Sequence, residues 1–371
     1  MSPDRVTGQE QAAAQVGAWL RTGRLPHAVL VCGPSGSGKR RFALQLAMTL
    51  VCREGGEAAC GRCPACRRVE GLVHPDVHVL APLPARRGRK EDDPSPDEVR
   101  EAALDYLAYR GDHRRSGTNI ARALLRRLQR EIAYTPVEAR RKVALVYEAE
   151  CMHPVGANSL LKVLEEPPVD AVFILVSSAP DRILPTILSR CQRLRLRALS
   201  RVALREQLAG AGVYPERVEL AGRLGAGSLQ RALRVAAGEL DPFRERAEQF
   251  LQAALAGQDD AYWELVEEVG ARGERGQLEG FLEMCATYLR DLFLVQQQCA
   301  DRGVLIDRPE LLGELAARLP AWRVEAAAVE VDRAFDGLFR NANPQFVLTD
   351  LWRVLRGVSP EAAVPAAGAA R

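Results

Sequence analysis

The stretch AVLVCGPSGSGKRRFALQLAMTL constrains the fold more than any other part of this chain. Residues 28–32 are a short apolar run, residues 33–39 read GxxxxGK, and helical spacing resumes at once with Phe42, Leu46 and Leu50 on one face. Strand, glycine-rich turn and helix in that order are the setting of a phosphate-binding loop, a feature of parallel α/β cores. In such a loop Gly33, Gly36, Ser37 and Gly38 let backbone N–H groups converge on phosphate oxygens at a helix N-terminus, and Lys39 reaches the terminal phosphates. The next residue should be a Ser or Thr that ligates magnesium, and here it is Arg40. A tight turn with no nucleotide is the plain alternative.

The second half of such a core is legible at KVALVYEAECMHPVGANSLLKVLEEPP, residues 142–168. A buried strand over 143–147 ends in acid, a helix follows over 155–164, and Pro167 and Pro168 stop it. A phosphate-hydrolysing enzyme places a magnesium-holding Asp at the end of that strand, and this chain has Tyr147 followed by Glu148. Further strands are expected at 77–80, 171–176 and 192–196, with helices between them. Alternating βα units of this length predict a parallel sheet with helices on both faces.

Between the two halves stand Cys52, Cys60, Cys63 and Cys66, spaced C-x7-C-x2-C-x2-C. Four thiolates this close can close a tetrahedral shell around Zn²⁺, whereas disulfides at x2 spacing are strained. With no catalytic base beside them the site is expected to be structural, and His74 is expected to shape the turn before the next strand. Residues 82–118 mix a basic run, the acidic EDDPSPDE, a helix over 97–109 and polar GDHRRSGTN, and read as a charged surface insertion. An amphipathic helix is expected over 120–132.

From Ser200 the strand signals stop. Three short helices are expected over 201–210, 215–224 and 228–237, then long amphipathic helices including 278–298 and 324–338, then a disordered tail over 359–371. Apolar residues make up 47% and aromatics 5%, as suits aliphatic, largely helical cores. Lys and Arg total 51 against 48 Asp and Glu, a net charge of +3 that by itself does not point to nucleic acid. No apolar run approaches the ~18 residues of a membrane span, and the polar start is unlike a signal peptide, so a cytoplasmic protein with no membrane partner is expected. Nine cysteines in a reducing compartment favour free thiols or metal ligands.

The set GRLPHA, the four-cysteine insertion, HPD, NSLLKVLEEPP, ILPTILSRC and NANPQ resembles the clamp-loader branch of the AAA+ ATPases, and within it the delta prime family of bacterial DNA polymerase III, from about Thr7 to Gly357. The resemblance implies an α/β AAA+ P-loop core over 1–199 with the zinc module at 52–66. An all-α lid over 200–240 and an all-α C-terminal collar over 241–358 would follow, the collar joining subunits in a ring. It implies gamma/tau and delta subunits as partners, and the sliding clamp and primed DNA through the assembled complex. It also implies that Arg190 of the SRC motif points into the nucleotide site of the next subunit, as a finger acting in trans. Gln230 stands where hydrolysing relatives carry a phosphate-sensing Arg. With Arg40 and Tyr147, that is a third lost contact to the Mg²⁺-triphosphate, so a non-hydrolysing subunit is expected: ATP or ADP possible but not required, Mg²⁺ not expected. Two other readings stay open: an active ATPase of the gamma/tau type using Lys39 and Glu148, and a zinc-dependent nucleic-acid-binding module.

Overall fold

The structure is a computed structural model that describes residues 8–83, 94–107, 119–268, 275–339 and 342–357. The chain divides into two compact units, Met1–Gln207 with Ala226–Gln230, and Leu208–Gly225 with Arg231–Arg371.

The first unit is built on a five-stranded sheet of β1 (Ala28–Cys32), β2 (Val77–Leu80), β3 (Lys142–Val146), β4 (Ala171–Ser177) and β5 (Gln192–Arg195). Their order is β2-β3-β4-β1-β5, and every pairing is parallel, with Ala28 opposite Phe173 and Lys142 opposite Ala171. The central strands β1, β3 and β4 are buried at every residue, as a sheet covered on both faces demands.

Strand alternation divides the core. Val29, Val31, Val143, Leu145, Val172 and Ile174 pack with α1 (Glu10–Thr22), α2 (Lys39–Val51), α3 (Pro64–Glu70) and the C-terminal half of α4 (Pro96–Leu107). Leu30, Ala144, Val146, Phe173 and Leu175 pack on the other face with α5 (Arg122–Ile132), α6 (Pro154–Glu165) and the single turn α7 (Pro185–Leu188). The expected strands and helices are present to within a few residues, and α6 ends at Glu165 as its two prolines require.

The helix expected at 97–109 within the charged insertion is α4, Pro96–Leu107, and it buries Val99, Ala103 and Tyr106. Those residues recur at i, i+4 and i+7, so the apolar stripe prevails over the charged flanks. Most of the remaining insertion, and the tail at 359–371, lie outside the described residues.

Helix α8 (Arg201–Gly210) follows β5. The second unit takes in α9 (Pro215–Leu224), most of α10 (Leu229–Ala236), and α11 to α16 at Asp241–Ala256, Asp259–Val266, Arg275–Gln296, Pro309–Arg318, Ala321–Phe339 and Pro344–Arg356. Its core holds an aromatic chain in which Phe250 meets Phe281 edge-on at 5.3 Å and Trp352 stacks on Tyr262 at 4.7 Å. The NANPQ motif proves to be a helix start. Asn343 Oδ1 accepts the Gln345 N–H at 2.9 Å, Pro344 opens α16, and Gly357 closes it in the left-handed region.

Candidate functional site

Parallel strands place all their carboxyl ends on one edge, and there β1, β3 and β4 bring together Gly33–Lys39, Tyr147–Glu148 and Ser177–Ser178. Gly36 and Gly33 have positive φ, +75° and +156°, and both lie against other backbone or side chains. A Cβ on Gly36 would stand 1.8 Å from Ser228 Oγ, and one on Gly33 would stand 2.4 Å from the Leu196 carbonyl oxygen. Gln9 ties the loop to the exit of β5. Its buried amide donates to the Ser37 and Arg197 carbonyl oxygens at 3.1 and 2.7 Å, and its oxygen accepts the Arg197 N–H at 3.1 Å.

The charged residues of this edge are engaged with one another. Lys39 is buried and its Nζ donates to the Pro34 carbonyl oxygen of its own loop at 2.6 Å. Burial, partly opposed by Glu148 and reinforced by Arg40, lowers its pKa from 10.5 to about 8. The Arg40 guanidinium lies 3.4 Å from Glu148 Oε1, donates to the Tyr106 carbonyl oxygen at 2.8 Å, and is centred 3.4 Å over the Tyr106 ring. Tyr147 is fully buried, 5.7 Å from the Tyr106 ring. Glu148 itself holds φ +45°, a left-handed conformation that costs a side-chain-bearing residue free energy. Beside it the Glu150 carboxyl is raised above the usual carboxylate range by burial and by the Glu148 charge, and accepts the Ser178 and Ala179 N–H groups at 3.1 and 3.2 Å.

Every predicted residue of the degenerate phosphate loop is therefore on this edge, together with Glu148. The sequence reading missed Tyr106, Gln9 and Ser228, which complete the cluster from distant segments. Only for Tyr106 was there a signal, its place in the buried stripe of α4. Gln230 is the second residue of α10.

Cys52, Cys60, Cys63 and Cys66 come together as the spacing predicts. Their sulfurs all lie within 4.8 Å of one another, with Cys60 and Cys66 3.9 Å apart. A tetrahedral shell with metal–sulfur bonds of about 2.3 Å sets sulfurs about 3.8 Å apart, so the cluster is the size of a four-thiolate metal site. Backbone N–H groups already point at two of the sulfurs: Cys63 N–H at Cys60 and Cys66 N–H at Cys63, at 3.3 and 3.4 Å. Although burial works against it, such hydrogen bonds lower the Cys63 thiol to about 6. His74 is no ligand of this cluster; its Nδ1 accepts the Asp76 N–H at 3.1 Å and shapes the turn, as expected. The Asp76 carboxylate, fully buried, accepts three N–H groups from Val137, Glu138 and Ala139 at 2.6, 2.8 and 2.8 Å. Glu138 in turn pairs with Arg53 and Arg68 beside the cysteines, at 2.7 and 2.5 Å.

Arg190 stands apart from both clusters in the turn after α7, half-exposed and paired with Glu165 at the end of α6 at 2.5 Å. Among the described residues no helix is long and apolar enough to cross a membrane.

A family model described as DNA polymerase III, delta subunit, matches residues 8–200. The DNA polymerase III subunit delta' of Bacillus subtilis is 34% identical over 197 residues, which are 53% of this chain and 50% of that protein. The subunit delta' of Escherichia coli is 28% identical over 341 residues, 90% of either chain. The subunit tau of Escherichia coli is 31% identical over 280 residues, 73% of this chain and 38% of that protein. The chain thus spans about half the length of the Bacillus relative and nine-tenths of the Escherichia coli delta' subunit.

Proposed function

The chain belongs to the family described as DNA polymerase III, delta subunit, and from that premise we propose that it is the delta prime subunit of a cytoplasmic clamp loader. In this reading it does not hydrolyse nucleotide. It sits in a ring with gamma/tau-type and delta subunits through a helical collar over 241–358, with a three-helix lid over 200–240 between core and collar. Arg190 serves the neighbouring subunit's ATP as a finger in trans while the assembled complex loads a sliding clamp onto primed DNA.

The observation that carries the silent half of this reading is Arg40. Hydrolysis needs a hydroxyl on magnesium and an acid that organises the metal's water shell. Here a guanidinium takes the hydroxyl's place and engages Glu148, while the acid's place is filled by a buried tyrosine ring. The residues present do not fit Mg²⁺, because the carboxylate that Glu148 would offer to a metal is already paired with the Arg40 guanidinium, whose positive charge stands where the cation would. Lys39 is likewise committed to its own loop. Binding of ATP or ADP is compatible with this arrangement but not required by it.

The four cysteines are assigned to Zn²⁺, as a structural site with every position taken by thiolate. They would hold together the segment from the end of α2 to α3. Metal analysis of the purified chain should then return one zinc, lost with Cys63→Ser; a chain that folds metal-free would remove the assignment.

The main test is ATP turnover with Mg²⁺, by the chain alone and after assembly with gamma/tau-type and delta subunits. The expected result is no turnover by the chain alone and a large loss in the assembled complex with Arg190→Ala. Turnover by the chain alone that disappears with Lys39→Ala would instead make it an ATPase of the gamma/tau type, the reading favoured by its 31% identity to tau.

A further inference from the structure

Arg190 is held before any neighbour arrives. Its Nη1 donates to the Thr186 carbonyl oxygen at 2.9 Å and to Ser189 Oγ at 3.3 Å, and its Nη2 donates to Glu165 Oε1 at 2.5 Å. The backbone under it is fixed too, since the Arg190 N–H closes the turn on the Ile187 carbonyl oxygen at 3.1 Å. A guanidinium carries five N–H donors in a rigid plane, so these contacts set its direction and leave other donors for a second partner. The side chain keeps 34% of its surface exposed, and that of Glu165 keeps 50%.

We infer that Glu165 is the positioning residue of Arg190, aiming the guanidinium outward from the end of α6. The inference rests on the finger reading of Arg190 and adds to it the group that orients the finger. An unrestrained arginine has several rotatable bonds to order on docking, and electrostatic stabilisation of a transferring phosphoryl group works best from a charge that is already in place. Glu165 is suited to the task because its own position is fixed by the fold. It is the last residue of a helix that Pro167 and Pro168 prevent from continuing, and α6 and α7 share one buried core through Leu160, Leu164 and Ile187. The ion pair is exposed enough that stability is a poor reason to keep it.

The test uses the reconstituted loader carrying Glu165→Ala, Glu165→Gln, Arg190→Ala or the double variant, each first shown to assemble by gel filtration. Both kcat and KM for ATP are measured with clamp and primed DNA present. Arg190→Ala should lower kcat by about tenfold or more. Glu165→Ala should lower it by about threefold to fivefold with KM unchanged. Glu165→Gln, whose amide oxygen accepts the same hydrogen bond, should recover most of that loss, and the double variant should be no slower than Arg190→Ala. Unchanged or faster turnover with Glu165→Ala, while Arg190→Ala is slow, overturns the positioning role and leaves the finger standing. So does a double variant in which the Glu165 loss multiplies the Arg190 loss. Undiminished turnover with Arg190→Ala overturns the finger reading itself, and the inference with it.

Discussion

Two arginine–glutamate pairs of the first unit have opposite surroundings. Arg40 and Glu148 have side chains 17% and 18% exposed and are backed by the Tyr106 ring. Arg190 and Glu165 are 34% and 50% exposed, on the rim. The contrast shows that burial, not residue type, decides what a guanidinium can do here. A charge enclosed with its counter-charge becomes part of the scaffold, because any other partner would have to replace it at the cost of a stranded acid. A charge held on one side and wet on the other remains available. The same unit thus holds one arginine enclosed with its counter-charge and one that keeps an exposed side on the rim.

The largest expected effect lies in the buried cluster and appears as a pH dependence. Lys39 has a pKa of about 8 in the folded chain against 10.5 when exposed, so between those values the unfolded chain binds a proton the native chain has released. Stability should therefore rise with pH across that window, by up to about 3 kcal/mol, and Lys39→Met should flatten the rise in urea titrations at pH 7 to 10.5. A rise that survives the substitution would show that Lys39 keeps its proton in the folded chain across that window and that another group causes the rise.

Next in size is Arg40→Ala. It strands Glu148 and uncovers Tyr106, and should cost about 2 kcal/mol in denaturant midpoint analysis. Neutral behaviour would mean that water replaces the guanidinium, and the enclosed-pair contrast would break.

The smallest effect belongs to the rim: Glu165→Ala should change stability by no more than about 0.5 kcal/mol. Were it to cost as much as Arg40→Ala, Arg190 and Glu165 would be a structural pair and not an available one. Equal costs at the two pairs would remove the distinction altogether.

Much of the candidate site was legible in the sequence because its parts are local. A glycine-rich turn between strand and helix, four cysteines within fifteen residues and a helix stopped by two prolines are each set by neighbours in the chain. The gaps were legible too, since Arg40 and Tyr147 stand at positions whose usual chemistry is known. What fills the gaps was not legible. Arg40 meets Glu148 across 108 residues and the Tyr106 carbonyl across 66, and Gln9 reaches Arg197 across 188. Tyr106 sits in a stretch whose acidic and basic flanks suggested solvent.

By itself, then, the sequence determined where strands, turns and helices begin and end, and which chemistry each turn could carry. Those features follow from backbone preferences and from apolar periods of two and 3.6 residues, which act over a few positions. The tertiary structure decided which charge answers which. That depends on a strand order of β2-β3-β4-β1-β5, which brings the ends of distant strands to one edge, and on helix packing that sets α6 beside α7. Whether an arginine closes its own site or faces outward is fixed by those long-range placements, because they alone set its burial and its partner.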